Sequence, residues 1–381
     1  MQDTINVLHI IRKPVIGGAE MLVKNIINKN YLEPHYKHFM LYSFEGPLIK
    51  LFPQELYDRL IHIQPKNKLK LILKLRKAIK KHRISIVHTH QPIDGIIAII
   101  ATIGLNIKTI RSYHGFEGIY YKTDKPSIKS RIIYFLINRY VTLNIFVSAT
   151  LLKYYQKRNP KQPSKRQAIL YNGIDDDELI KSNPVSLRNE LNIVNNSIVL
   201  GMIGGFSTKG RDQFTLCRAM KILLKFKANI HLIFIGKRNN SEIYKKCYNY
   251  CINNKIIDNV HFLGEKNDIG GLLKSMDVYV HSSNNDTFGL ALVEAMLCNV
   301  PCIASDISAF REISKNGKFI TLFEKGNAKD LVSKIEKTLD NFDRKALNHS
   351  LKKTEKYAKE NFAISTHLSN LHNLYNQCLK S

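Results

Sequence analysis

Two carboxylates stand eight positions apart in the stretch His281–Ile313, HSSNNDTFGLALVEAMLCNVPCIASDISAFREI: Asp286 in a polar loop and Glu294 two turns into the segment that follows. Apolar Val278-Tyr279-Val280 precedes the loop and reads as a buried strand end. Leu290, Val293 and Leu297, three and four apart, predict a helix beginning near Phe288. Ser283 to Thr287 are residue types that satisfy the first N–H groups of such a helix. The N–H groups and positive dipole end at Phe288, Gly289 and Leu290 attract an anion, commonly a phosphate. Two carboxylates beside an anion site do not serve the anion; they suit the hydroxyls of a sugar attached to it. A second loop, Gly204-Gly205-Phe206-Ser207-Thr208-Lys209-Gly210, offers the same chemistry. Its backbone N–H groups and the Lys209 ammonium can neutralise phosphate oxygens. It lacks the Lys-Ser/Thr ending and the spacing of a Walker loop.

These residues need a scaffold that brings loop ends together, and the rest of the chain predicts one. Ile5–Ile11 reads as a buried parallel strand, leading through Gly17 and Gly18 into a helix from Ala19 to about Asn28. Strands are predicted over Lys37–Tyr42, Leu60–Ile63, Ile84–His88, Thr109–Tyr113 and Leu143–Val147, with helices over 66–81, 93–103 and 128–140. The alternation restarts at Ile198–Ile203, with a helix from Arg211 and strands Ile230–Gly236 and Val260–Gly264 whose ends would face a base. Such alternation predicts doubly wound parallel sheets, with ligands beyond the carboxyl ends of the strands. Those ends carry Gly17-Gly18, His88-Thr89-His90 and His114-Gly115. His88 and His90 share a face and permit a metal pair, but spacing supplies no third ligand, so they read as a polar cleft wall. Residues 181–197, rich in Asn, Ser and Pro, read as a linker. Asp175-Asp176-Asp177 contains a formal Asp-x-Asp without the strand that metal motif needs, and reads as a solvated turn.

Ser283-x-x-Asp286-x-Phe288-Gly289-Leu290-x3-Glu294-Ala295, with Pro301 and Glu312-Ile313 beyond, resembles the donor-site signature of glycosyltransferase family 4. Its Glu-x7-Glu stands here as Asp-x7-Glu. Gly17-Gly18-Ala19-Glu20, Tyr113-His114-Gly115 and Tyr171-Asn172-Gly173-Ile174-Asp175 resemble further family segments. In the glycine loop Lys209-Gly210 match, whereas Gly205 stands where an arginine is usual, a charge that Arg211 could supply. The resemblance implies an α/β protein of the GT-B type, two facing Rossmann-like domains with parallel sheets. The acceptor domain would be 1–180 with the helix 356–381 crossing back, and the nucleotide-sugar domain 181–355. It implies a retaining enzyme of surface-polysaccharide synthesis that moves a hexosyl or N-acetylhexosaminyl group from a nucleotide-sugar, here a UDP-sugar, to a glycan or lipid-linked acceptor. His114, Lys209 and Asp286 are implied to act at the reacting centre. Gly17, Gly18, Gly204, Gly205, Lys209, Gly236, Gly264, Phe288, Gly289, Leu290 and Glu294 are implied to line the donor. Glu294 would hold the ribose hydroxyls and Asp286 those of the sugar. No cofactor and no metal are expected, since Lys209 and a helix N-terminus face the diphosphate.

Composition bounds the alternatives. The 381 residues suggest two domains, and 44% hydrophobic content supports a true core. No apolar run reaches the length of a spanning helix, and Met1-Gln2-Asp3-Thr4 has no basic n-region, so a cytoplasmic protein without a signal peptide is expected. The six cysteines form no C-x2-C pair and read as buried thiols. With 58 basic against 31 acidic side chains, the net charge of +27 calls for an anionic partner. A nucleic-acid binder is disfavoured because aromatics do not interleave with the basic residues as a stacking platform. A sugar-nucleotide epimerase of the same fold remains the other enzymatic class. Lys66–Arg83, with nine basic residues and no acidic one, points instead to an anionic membrane surface, and so to peripheral attachment on the inner face of the cytoplasmic membrane. There Leu69, Leu73, Ala78, Ile72 and Leu75 predict the stripe that packs on the sheet.

Overall fold

A computed structural model of the chain describes residues 4–32, 34–65, 67–116, 132, 135–137, 139–158, 166–206, 210–238, 241–340 and 344–380. Two compact units emerge, Met1–Ile174 with Phe362–Ser381, and Asp175–Asn361. Among the described residues no helix is long and apolar enough to cross a membrane.

The first unit is built on a parallel sheet of β1 (Ile5–Ile10), β2 (Tyr36–Tyr42), β3 (Leu60–His62), β4 (Ile84–Thr89), β5 (Lys108–Tyr113), β6 (Leu143–Phe146) and β7 (Gln167–Ile169), in the order β3-β2-β1-β4-β5-β6-β7. Successive residues of a strand point to opposite faces, and β1 shows the consequence. Leu8 and Ile10 pack with Leu71, Leu75 and Ile79 of the helix Lys68–Lys81 and with Ile97 and Ala101 of the helix Pro92–Thr102. Val7 faces the other way, into a core with Leu22 and Ile26 of the helix Gly18–Asn28 and with Leu368, Leu371 and Tyr375 of the helix Ile364–Lys380. The C-terminal helix is therefore part of the first unit's covering layer. Asp94, inside an apolar run of the sequence, is fully buried and ion-paired with Arg12.

Three expectations need correction. On the helix Lys68–Lys81 the buried face is Leu71, Leu75, Ala78 and Ile79, whereas Leu69 and Leu73 are 66% and 54% exposed. Leucines at four alternate positions put apolar side chains on both sides of a helix, and the sheet selected the side spaced i, i+4, i+7, i+8. Residues 181–197 are not a free linker. Leu187 is buried, Val185 N donates to Gly271 O at 3.1 Å, and Arg188 pairs with Asp277 at 2.6 Å. Asp176 is not in a solvated turn; it is buried at the start of the helix Asp176–Lys181, with Lys359 at 3.7 Å. Of the helix expected over 128–140, residues 128–131, 133, 134 and 138 lie outside the described residues.

The second unit carries β8 (Ile198–Ile203), β9 (Ile230–Ile235), β10 (Val260–Gly264), β11 (Val278–His281), β12 (Cys302–Ser305) and β13 (Thr321–Phe323), all parallel, in the order β10-β9-β8-β11-β12-β13. Chain order reverses at β8, which has β9 on one side and β11 on the other. The crevice beyond the carboxyl end of such a switch strand is where open α/β sheets bind ligands.

Candidate functional site

At that edge of the second unit, three glycines bring backbone against backbone. Gly204 N donates to Ile235 O at 2.8 Å, and Gly236 N to Gly264 O at 2.7 Å. Gly236 has φ +143°, and a Cβ there would lie 2.6 Å from the Gly204 carbonyl, so no side chain fits. Gly205 is tied in through its carbonyl, which accepts from Gln213 Nε2 at 3.2 Å. Lys209, with Ser207 and Thr208, lies outside the described residues. Arg211 is well placed: its side chain lies against Gly204, with Nε 3.2 Å from where a Cβ would be.

The loop after β11 is laced to the far limb of the glycine loop. Asp212 N donates to Ser282 O at 3.1 Å, Asn284 N to Gly210 O at 2.7 Å, and Ser283 Oγ to Gly210 O at 2.8 Å. Asp286 completes this bracing. Its Oδ1 accepts from Thr287 N at 2.7 Å and Phe288 N at 3.1 Å, and its Oδ2 faces Arg211 at 3.4 Å and His281 at 3.6 Å. Burial would raise its pKa, but the bond from His281 and the Arg211 charge outweigh that and hold it well below the usual carboxylate range. His281, in contact with Arg211 and with Tyr279 Oη at 2.7 Å, is lowered to about 4 by burial and by the guanidinium. Both Asp286 oxygens are thus engaged within the loop, a use that the sequence spacing did not reveal.

The helix begins at Leu290 rather than near Phe288. Phe288 turns its ring inward, 2% exposed, and offers a ligand only its backbone. Gly289 is the N-cap at φ +94°, where a Cβ would strike the Phe310 ring at 2.7 Å. The N–H groups of the first turn, from Leu290 onward, follow the loop that Asp286 ties to Arg211. Glu294 lies one turn further in. Burial raises its pKa to about 7, with the Arg211 charge pulling down and Glu178 pushing up. Its ionised form, dominant above pH 7, can accept from paired hydroxyls.

In the first unit the strand ends bring histidines together. His90 Nδ1 and His114 Nε2 are 2.9 Å apart, and His88 bonds to Tyr375 Oη at 2.6 Å and Ser112 Oγ at 2.8 Å. Burial, then His367, lowers His114 to about 4, against a hydrogen bond with Asn172. A small cavity beside them is lined by His88, His90, Ser112, His114, Asn172 and His367. The third neighbour that spacing did not supply to His88 and His90 is His9 of β1: ring nitrogens of the three lie within 4.8 Å of one another. Those nitrogens are paired with His38, with each other, with Tyr375 and with Ser112. At the other candidate turn Gly17 is the extended N-cap of the helix Gly18–Asn28, and a Cβ on it would press on Glu20 Oε2 at 2.6 Å.

Two family descriptions cover the chain in succession. Glycosyltransferase Family 4 matches residues 35–178, and Glycosyl transferases group 1 matches residues 186–361. The N-acetyl-alpha-D-glucosaminyl L-malate synthase of Bacillus anthracis is 25% identical over 329 residues, 82% of each chain. The UDP-Gal:alpha-D-GlcNAc-diphosphoundecaprenol alpha-1,3-galactosyltransferase of Escherichia coli is 24% identical over 319 residues, 81% of this chain and 79% of its own. Among solved structures, Anabaena Alr3699/HepE in complex with UDP and glucose superposes with a TM-score of 0.81 at 20% identity, covering 98% of this chain and 100% of that one. The fold is that of the GT-B glycosyltransferases.

Proposed function

The chain is a glycosyltransferase of family 4, and from that premise we propose that it moves a hexosyl or N-acetylhexosaminyl group from a UDP-sugar to a glycan or lipid-linked acceptor in polysaccharide synthesis, with retention at the anomeric carbon. One observation supports this reading: the backbone of Gly204, Gly236 and Gly264 meets at the ends of β8, β9 and β10, and Arg211, lying against Gly204, pairs with Asp286 in the loop that leads into the helix carrying Glu294. The UDP in the Anabaena structure and the UDP-galactose donor of the Escherichia coli relative support the choice of nucleotide.

In this reading the departing UDP gathers charge on its β-phosphate. First-turn N–H groups, Lys209 and the Arg211 guanidinium meet that charge, so the reaction runs without a resident metal. Glu294 accepts the two ribose hydroxyls. Asp286 positions Arg211 and the loop, and reaches the sugar hydroxyls by exchanging its contact with the guanidinium. The acceptor binds the first unit near Gly17, Gly18 and His114. The exposed face of the helix Lys68–Lys81 would hold that unit at an anionic membrane, a location that fits a lipid-linked acceptor.

A thermal-shift screen of UDP-, GDP- and ADP-sugars followed by a transfer assay tests the reading. A UDP-sugar should stabilise the protein and give a glycosylated acceptor. Stabilisation by no UDP compound, or sugar release as an epimer without any acceptor, would overturn it.

A further inference from the structure

In the first sheet, too, chain order reverses at one strand: β1 has β2 on one side and β4 on the other. The chain leaving β1 enters the helix Gly18–Asn28, which packs on the face of Val7. The chain leaving β4 enters the helix Pro92–Thr102, which packs on the opposite face with Leu8 and Ile10. Loops that part to opposite faces leave a crevice at the carboxyl ends of their strands. Arg12 stands in the first loop and Asp94 in the first turn of the second helix, and their side chains pair across that edge. Asp94 is fully buried, while the Arg12 side chain is 23% exposed.

The pair acts as a support for one guanidinium. Arg12 gives Asp94 its Nε–H. Its two Nη groups carry the remaining donors of a planar fork, and among the described residues none of these meets an acceptor. Burial raises the Asp94 carboxyl, and the charges of Arg12 and then Arg111 pull it back, so one carboxylate answers two guanidinium groups. The backbone of the loop is fixed as well. Arg12 O accepts from Ser43 N at 2.9 Å and from Phe44 N at 3.1 Å, and Pro14 O accepts from Leu48 N at 3.1 Å. Lys13 follows, exposed, with its Nζ 5.6 Å from the centre of the Phe44 ring. Two acids belong to the adjoining segments. Glu45 faces His62 at 4.0 Å, and Glu20 is buried against Gly17, its carboxyl raised by that burial.

We propose that the Arg12 fork, with Lys13 beside it, binds the phosphate of a phosphorylated acceptor. This rests on the reading that places the acceptor near Gly17, Gly18 and His114, and it narrows the acceptor's class. A guanidinium whose Nε is held by a carboxylate presents its Nη edge to two oxygens of one anion. A neutral glycan offers that edge only hydroxyls, and a phosphate fills it with charged acceptors. With a second cation one residue on, and Asp94 shared with Arg111, the edge favours a dianion. A free sugar phosphate and the diphosphate of a lipid-linked sugar both supply one. The phosphate is held and not transformed. Arg12 is therefore a binding and specificity residue, and Asp94 positions it.

Binding can be read without any reaction. Four compounds of one sugar are titrated into the whole protein with UDP in excess: the methyl glycoside, the methyl uronoside, the sugar 1-phosphate, and the sugar joined through diphosphate to a short, water-soluble prenyl chain. Isothermal titration gives the affinities. Arginine side-chain Nε–H spectra give the place, the Arg12 signal being the one lost in Arg12→Lys. Only the two phosphate-bearing compounds should move that signal. Arg12→Gln with Asp94→Asn leaves no buried charge unpaired and should weaken both about tenfold or more. Arg12→Lys keeps the charge without the fork, guards against misfolding of the double variant, and should weaken both about threefold or more. Tighter binding of the prenyl compound assigns the phosphate to a lipid-linked acceptor, and equal binding to a free sugar phosphate; both uphold the site. A uronoside that binds as well as the phosphates, or phosphate affinity unchanged in the variants, would overturn it. Phosphate binding at Arg12 without transfer to any of the four compounds would count against the acceptor reading and leave the anion site standing. Transfer to the neutral glycoside as efficient as to the phosphates, and undisturbed by the double variant, would keep the acceptor reading and sink the phosphate site.

Discussion

Arg211 Nη1 and Asp286 Oδ2 stand 3.4 Å apart, joining the loops that leave β8 and β11. The guanidinium is therefore matched by a carboxylate of the protein itself. The arginine that could supply the glycine loop's missing charge is thus half committed to Asp286. Asp286 balances two tasks, since its other oxygen caps Thr287 and Phe288.

Asp286→Asn separates those tasks. The amide oxygen still accepts from the two N–H groups, while the negative charge beside Arg211 is gone. Affinity for UDP should rise about threefold to tenfold, from about 1 kcal/mol of charge-assisted bonding released to the diphosphate, and turnover should fall. Isothermal titration checks the first part. Unchanged UDP affinity would mean that Arg211 does not reach the phosphates.

Glu294 supplies a mutational and a pH prediction. Glu294→Ala removes the acceptor of two ribose hydroxyls and should cost about 3 kcal/mol, about 100-fold in kcat/KM, with the fold intact. In the wild type its pKa is raised to about 7 by burial. The ionised form is the better hydroxyl acceptor, so donor binding should weaken as pH falls below 7, by up to about tenfold per unit, and level off above it. A donor Kd that is flat from pH 6 to 8 would remove Glu294 from the ribose.

The loops that carry the glycines and the two carboxylates were legible as strand-to-helix turns because the signals are local, each following an apolar strand. Strand positions were legible for the same reason, as with β8 at Ile198–Ile203 and β10 at Val260–Gly264, read in the sequence with the bounds found in the structure. What escaped was set by pairing at long range. His9 and His38 stand inside the predicted strands Ile5–Ile11 and Lys37–Tyr42, and His372 lies 334 positions from His38. Nothing local says that three such residues meet; that needs the strand order β2-β1-β4-β5 and the C-terminal helix on that face. Alternating leucines on the basic helix hid its buried side in the same way, because only the sheet decides between two apolar stripes.

Acid should open the first unit before the second. Burial lowers the pKa of His9, His38, His88, His90, His367 and His372 below the unfolded value of 6.5. Between the folded and unfolded pKa the unfolded chain binds more protons, so stability is fully present above pH 6.5 and is lost as pH falls toward 4. Each group contributes up to about 1.4 kcal/mol per pH unit. Hydrogen exchange should show protection failing in β1, β2 and β4 between about pH 6 and 5, while β8 and β9 hold. Retained protection of β1 at pH 4.5 would contradict this.

Activity should survive chelation. The proposed phosphate contacts are N–H groups, Lys209 and Arg211, and none needs a divalent ion to reach the donor. Treatment with EDTA should leave the transfer rate within about twofold. Loss of activity that Mg²⁺ or Mn²⁺ restores would show that a metal takes part.

The last prediction concerns the membrane. On the helix Lys68–Lys81, Leu69 and Leu73 stand 66% and 54% exposed among Lys68, Lys70, Lys74, Lys77, Lys80 and Lys81. Sequence reading had assigned both leucines to the sheet and left only charge for the bilayer. Their exposure adds an apolar contribution, about 1 kcal/mol each for partial burial in lipid, to about 1 kcal/mol for each lysine near an anionic leaflet. The sum exceeds what a solvated basic face alone would give. Lys122, Lys125, Lys129 and Arg131, which would extend the patch, lie outside the described residues. Binding to vesicles of anionic phospholipid should therefore weaken steeply with salt, yet retain a residue at high salt that Leu69→Ser with Leu73→Ser removes. Changing Lys74, Lys77, Lys80 and Lys81 to Ser should abolish the salt-sensitive part. Neither double nor quadruple variant should alter UDP affinity, because the helix belongs to the first unit and the phosphate and ribose contacts proposed for UDP belong to the second. Equal binding to neutral and anionic vesicles, or none at low salt, would leave this face without a membrane role.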